Sequence, residues 1–204
     1  MSGLDPSVGI LAYGSLISDP REEIQSATIH IKKGITTPFN VEFARTSRTR
    51  AGAPTLVPVK DGGARVPAWI FVLNVPENEA ANCLWRRETG AVGSGRTYNR
   101  PTAPGPNSVV IARIENIESV DVVLYTDIAP NISELTPARL ALLAIESARS
   151  LSNGRDGITY LIKAKANGVL TPLSALYEQE IKQRLDAVDL QDALGKARTA
   201  IKTR

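Results

Sequence analysis

Two short stretches of the sequence carry groups that could do chemistry, and the first is at the end of the apolar run 8–13, which predicts a strand. That run ends at Tyr13 and is followed at once by Gly14 and Ser15. Small residues directly after a strand allow consecutive backbone N–H groups to point into one anion-binding concavity. The same residues are also typical of an ordinary tight turn. The stretch therefore predicts either a plain turn or a ligand-binding loop.

The second stretch is a predicted helix over 76–90, in which Glu88 is a candidate acid and base. Ala81, Leu84, Trp85 and Glu88 recur at i, i+3, i+4 and i+7, so they share one face of the helix. A carboxylate on an apolar face is either paired with a cation or has its pKa raised by desolvation. A carboxylate with a pKa near neutrality suits acid/base catalysis by a single residue.

The partner of Glu88 is the open question of this helix. On a helical wheel Arg86 and Arg87 point away from the apolar face, although an arginine from a strand could supply the pair. The strand candidates are Arg45, Arg48 and Arg50. The alternative is a partly solvated glutamate at the edge of the face, near the helix end.

The rarity of histidine and cysteine limits the chemistry available to the chain. The one histidine, His30, lies in the alternating stretch "TIHIKK" and is predicted on a strand surface. The one cysteine, Cys83, is predicted to be a small buried side chain that is no nucleophile. We therefore expect no metal site, and chemistry based on carboxylates, hydroxyls, tyrosines and backbone.

A second glycine-rich stretch, "GAVGSGRT" at 90–97, nearly matches the phosphate-binding P-loop pattern. A P-loop follows a buried strand and opens a helix, whereas this stretch follows a helix and leads into proline-rich sequence. It predicts a helix end at Gly90 and then a connecting loop.

Composition and charge exclude several classes of protein. The 204 residues carry a net charge of +3, with a pI near 9.1, but basic and acidic residues are interspersed. The basic end "GKARTAIKTR" is typical of a solvated helix end, so we expect no nucleic-acid binding. No apolar run approaches the roughly 18 residues of a membrane span, and the start of the chain is unlike a signal peptide. These features predict a cytoplasmic protein that does not bind membranes.

The order of predicted elements indicates an α+β fold. Strand patterns fill the first half of the chain and recur at 108–114 and 120–128, and helices dominate after 135. Two late helices are each preceded by Thr-Pro, which favours helix starts at Thr136 and Thr171. We predict a single domain over 1–204, with helices flanking a mostly antiparallel, barrel-like sheet, and a helical or frayed tail over 191–204.

Taken in order, several motifs resemble those of the γ-glutamylcyclotransferase superfamily, including its ChaC-like branch. They are "YGSL" after the first strand, "FARTSRTRAGAPTLVPV", "RRETG" ahead of "GRTYNRP", and "IESARSLSNGRDGITYL". The stretch "ISDPREE" after "YGSL" and the inserted "GAVGSG" depart from the ChaC pattern. The resemblance therefore implies a broad activity on γ-glutamyl amides rather than one restricted to glutathione.

The resemblance implies that the α-amine of a γ-glutamyl substrate attacks its own γ-carbonyl. The products are 5-oxoproline and a released amine, amino acid or dipeptide, and no cofactor takes part. It further implies Glu88 as the acid and base, and Tyr13, Gly14, Ser15 and Leu16 as the substrate cradle. Tyr125 is either a substrate donor or a packed strand aromatic, and Tyr98 is expected to pack. A protein that keeps the fold only to bind small molecules or partners is the alternative.

Overall fold

The structure is a computed structural model that describes residues 6–151 and 153–199. Its strands are β1 Val8–Ala12, β2 Thr28–Thr36, β3 Val41–Ser47, β4 Ala53–Pro58, β5 Pro67–Leu73, β6 Val110–Ile117 and β7 Val120–Asp127. Its helices are α1 Ser15–Ser18, α2 Arg21–Ala27, α3 Glu77–Thr89, α4 Pro137–Ser150, α5 Gly157–Ala166, α6 Ser174–Arg184 and α7 Leu190–Thr199. The predicted α+β class is confirmed, and none of the described helices is long and apolar enough to cross a membrane.

The chain divides into two compact units. The first comprises Met1–Thr37 and Pro67–Ile128, and the second comprises Pro38–Val66 and Ala129–Arg204. The predicted single domain over 1–204 stays a prediction. Helix α7 covers most of the predicted tail, and residues 200–204 lie outside the described residues.

The first unit is built on a five-stranded sheet in the order β2-β5-β1-β7-β6. Strand β1 pairs with β7 in parallel, and the other three pairs are antiparallel. The sheet is therefore mostly antiparallel, as predicted. Among the described residues β2 and β6 are its open edges, so the predicted barrel-like arrangement is not confirmed.

Helix α3 shares a buried cluster with one face of this sheet. Ala80, Cys83 and Leu84 of the helix pack with alternate residues of the strands, including Ile10 of β1 and Leu124 of β7. Because strand side chains alternate between faces, this cluster defines the α3 side of the sheet. The arrangement places the end of α3 near the C-terminal end of β1.

The second unit joins the β3–β4 hairpin to helices α4 to α7. Phe43 of β3 lies edge-on to Tyr160 of α5 and to Tyr177 of α6, with ring centroids 6.2 and 5.4 Å apart. These aromatic contacts tie the hairpin to two helices of the core.

The two predicted Thr-Pro helix starts have different outcomes. The Thr136 side chain accepts a hydrogen bond from the Arg139 amide at 3.3 Å, which confirms the predicted N-cap of α4. The second prediction is wrong, because α6 begins at Ser174. The Thr171 hydroxyl instead donates to the buried carboxylate of Glu42, 2.6 Å away.

Replacing Tyr177 by phenylalanine tests the packing of the second unit. The Tyr177 hydroxyl is fully buried and has no hydrogen-bond partner among the described residues, whereas the Tyr160 hydroxyl accepts from the Leu56 amide at 3.2 Å. An unpaired buried hydroxyl costs free energy. We expect Tyr177→Phe to keep or raise the free energy of unfolding by about 1 kcal/mol, and Tyr160→Phe to lower it by about 1–2 kcal/mol. Urea unfolding measures both, and a larger loss for Tyr177→Phe contradicts the account.

Candidate active site

Residues 13–16 form a tight turn at the end of β1. The Leu16 amide donates to the Tyr13 carbonyl at 3.3 Å. Gly14 has φ 57° and ψ −127°, which are close to the values of the first central position of a type II′ turn. Residues with a side chain adopt these angles only with strain, so the backbone itself requires a glycine here.

The amides of two turn residues, the buried Gly14 and the half-buried Ser15, are the candidates for a ligand contact. The Leu16 amide is used within the turn, whereas those of Gly14 and Ser15 make no hydrogen bond among the described residues. These two amides are the part of the predicted cradle that a substrate oxygen could occupy. The turn is thus a tight turn in geometry, and its ligand-binding role stays a prediction.

Arg87 connects the turn to Glu88. Its guanidinium donates from Nη1 to Glu88 Oε1 at 2.5 Å and from Nη2 to Ser15 Oγ at 3.3 Å. Nε and Nη2 also donate to the Asp19 carbonyl, at 3.1 and 2.9 Å. The Arg87 side chain is 11% exposed. One largely buried cation therefore places the candidate acid/base beside the predicted substrate loop.

Glu88 lies at the edge of the apolar face of α3. Of the four residues predicted to share its face, only Leu84 is buried, and the buried side of the helix is centred on Ala80, Cys83 and Leu84. The Glu88 side chain is 24% exposed. Its position matches the alternative of a partly solvated glutamate near the helix end.

Glu88 has a partner that the helical wheel does not predict, and an additional contact with a strand arginine stays a prediction. The carboxylate pairs with Arg87, its neighbour in sequence. Arg45 donates to the Ala129 carbonyl at 2.6 Å, and Arg50 donates to the Arg155 carbonyl at 3.3 Å. Arg48 is exposed in the short 3-10 turn after β3.

Tyr125 is on the other face of the sheet. Its neighbour Leu124 packs in the cluster on the α3 side and pairs with Ile10 of β1. Because side chains alternate along a strand, Tyr125 projects from the face opposite α3 and Glu88. Burial raises the pKa of its phenol, and the charge of Asp127 adds to this effect while that of Arg100 opposes it. The structure does not bring Tyr125 and Glu88 together.

Arg86 forms a second network that sequence reasoning missed. Only 6% exposed, it donates to Glu23 at 2.7 Å, to Glu79 at 2.6 Å and to the Arg96 carbonyl at 2.8 Å. Burial acts to lower the pKa of Arg86, but the hydrogen bonds to both carboxylates outweigh it and raise the pKa. The network fixes α2, α3 and the loop after α3 to one another. One sequence pattern could have indicated this network: Glu79 and Arg86 are two helical turns apart and therefore on the same side of α3.

Four supporting predictions are confirmed. Tyr98 packs against the α3-side cluster, and its hydroxyl accepts from the Ile111 amide at 3.0 Å. His30 is exposed on β2, and Cys83 is buried. Helix α3 ends at Gly90, whose φ of 72° and ψ of 25° are left-handed, and a connecting loop follows as predicted.

The described residues form no cluster of three or more histidine, cysteine or acidic side chains able to hold a metal ion. No protein-family model matches the chain, and no curated protein matches it either. The proposed role of the site therefore depends on its residues and their geometry.

Replacing Gly14 by alanine tests the turn. Because Gly14 has a positive φ, we expect Gly14→Ala to lower the free energy of unfolding by about 1–3 kcal/mol. The matched control is Gly195→Ala in helix α7, where an added methyl group meets no atom within 4 Å. That change is expected to stabilise the protein by up to about 1 kcal/mol. Urea unfolding compares them, and equal effects would contradict the strained turn.

Alkylation of Cys83 tests the burial of α3. Burial raises the pKa of its thiol to about 11, and the charge of Glu79 adds to this effect. Only the thiolate reacts, so at pH 8 we expect the folded protein to react with iodoacetamide on the order of 100-fold more slowly than the protein in urea. Mass spectrometry over time measures both rates. Equal rates would show that Cys83 is accessible and ionised in the folded protein.

Proposed function

We propose that this protein is a γ-glutamylcyclotransferase-type enzyme that converts γ-glutamyl amides to 5-oxoproline and a free amine. The observation that carries the proposal is the shared contact of Arg87 with Glu88 and Ser15. This contact brings a partly exposed carboxylate next to a glycine turn in which two amides make no hydrogen bond among the described residues. The order of sequence motifs that resemble this superfamily supports the same reaction.

The reaction requires one proton acceptor that later becomes a donor. The α-ammonium group of the substrate gives a proton to Glu88, and the resulting amine attacks the γ-carbonyl carbon. A new C–N bond closes the five-membered ring, and the bond from the γ-carbon to the leaving nitrogen breaks. Glu88 gives this proton to the leaving nitrogen and then takes the second proton, which the attacking nitrogen loses as it becomes the lactam N–H. That second proton passes to the released amine, which leaves as an ammonium ion, and Glu88 is a carboxylate again, so no other acid or base is needed.

The turn supplies the second requirement, which is to hold the substrate folded. Ring closure is intramolecular, so the main gain comes from keeping the α-amine roughly 3 to 3.5 Å from the γ-carbon. The Gly14 and Ser15 amides are suited to bind oxygens of the glutamyl group. A carboxylate in the active site adds nothing to anion binding, which favours an enzyme over a non-catalytic binding protein.

The proposed substrates are γ-glutamyl amides as a class. In this proposal the turn and Glu88 contact the glutamyl half of the substrate, so they do not select the leaving group. The leaving group is an amine, an amino acid or a dipeptide, and glutathione is one member of this class.

Release of 5-oxoproline tests the proposal. We expect wild-type protein to release it from at least one of glutathione, γ-glutamyl dipeptides and γ-glutamyl amines. Glu88→Gln is expected to reduce kcat by 100-fold or more, on the order of a general acid/base contribution. The matched control, Glu77→Gln, changes an exposed glutamate of the same helix that pairs with Arg113, and should keep activity.

Two results would contradict this proposal. One is the absence of 5-oxoproline with every substrate although the protein is folded. The other is full activity of Glu88→Gln, which would remove Glu88 from the reaction. Circular dichroism establishes folding of each variant.

A further inference from the structure

The guanidinium of Arg87 makes contact with both ends of helix α1. It donates to the Ser15 hydroxyl at the first residue of the helix and to the carbonyl of Asp19 at its C-terminal cap. Helix α1 has only four residues, and Gly14 provides no side-chain cap for it. Because a helix of this length is not stable by itself, its position depends on contacts with neighbouring elements. Arg87 supplies such contacts from α3.

The same guanidinium occupies one oxygen of Glu88. Oε1 accepts from Arg87 Nη1, whereas Oε2 makes no hydrogen bond among the described residues. The carboxylate is therefore held by one oxygen and presents the other. This arrangement suits a general acid/base, because Oε2 is held in place through Oε1 and can accept and return a proton.

Only arginine has the donors that this arrangement uses. The guanidinium is planar, carries five N–H groups in a rigid fork and stays charged. Its three nitrogens donate hydrogen bonds to three groups: the Glu88 side chain on α3, the Ser15 side chain on α1, and the main-chain carbonyl of Asp19. A lysine ammonium is a single point with three donors, so it keeps the charge but loses part of this geometry.

We propose that Arg87 is the positioning residue of the site, which fixes Glu88 relative to the substrate turn and leaves Oε2 as the oxygen that exchanges the proton. The inference rests on the proposed cyclotransferase function. Arg87 acts through Glu88 and α1 and transfers no proton itself. The Tyr13–Leu16 hydrogen bond and the backbone angles of Gly14 maintain the turn independently of it.

The kinetics of Arg87 variants test this inference. We expect Arg87→Lys to lower kcat by about 10- to 100-fold, because a displacement of a reacting group by about 1 Å costs that much. KM should change much less, since the turn keeps its own hydrogen bond. We expect Arg87→Ala to lower kcat further than Arg87→Lys does. Added guanidinium or ethylguanidinium ion should restore part of the kcat of Arg87→Ala. A purely structural arginine would not respond to such rescue.

Arg86→Lys is the matched control. Arg86 adjoins Arg87 in sequence and also binds carboxylates and a main-chain carbonyl, but it contacts neither the turn nor Glu88. Its replacement should lower the midpoint of thermal unfolding while the folded variant keeps its kcat. This pattern separates the loss of helix stability from the loss of positioning.

The possible results are distinct. Wild-type kcat in Arg87→Lys, or an equal kcat loss in folded Arg87→Lys and Arg86→Lys, would overturn the positioning role. Failure of guanidinium to restore a folded Arg87→Ala would also overturn it, and if this variant does not fold, Arg87→Lys decides alone. An inactive wild-type protein would instead refute the proposed function, and the positioning role with it.

Discussion

The hydrogen bonds of one largely buried guanidinium, that of Arg87, join the parts of the candidate site. Arg87 is held by α3, and it binds the start and end of α1 and one oxygen of Glu88. Leu16 and Ile17 of α1 also pack in the cluster on the α3 side, so apolar contacts hold this loop as well. Arg87 adds the hydrogen bonds that join the loop to the candidate acid/base.

The elements that carry Arg87 are themselves constrained by its neighbour. Arg86 binds Glu23 of α2 and Glu79 of α3, and Glu23 also accepts from the Gly93 amide at 2.7 Å. Two consecutive arginines thus have different tasks: Arg86 joins α3 to α2 and the following loop, and Arg87 joins α3 to the turn after β1.

Local signals in the sequence predict much of this fold. The apolar run before Tyr13, the helix that ends at Gly90 and the N-cap at Thr136 each depend on neighbouring residues, and the structure agrees with all three. The glycine at position 14 was recognisable for the same reason, since a left-handed turn requires it.

Features that depend on tertiary contacts were not predictable from the same signals. Consecutive helix residues normally point in different directions, so a local pattern does not predict that Arg87 pairs with Glu88. Thr171 looked like a helix cap, but a buried carboxylate far away in the chain, that of Glu42, takes its hydroxyl. The face of Tyr125 depends on the parallel pairing of β1 with β7, which no local pattern reveals.

Identification of the products in H₂¹⁸O tests the central claim most directly. Intramolecular attack by the α-amine uses no water, so a γ-glutamyl amide should yield unlabelled 5-oxoproline and an equal amount of free amine by mass spectrometry. Formation of glutamate carrying ¹⁸O would show that water attacks the γ-carbonyl. That result would make the protein a hydrolase and contradict the account.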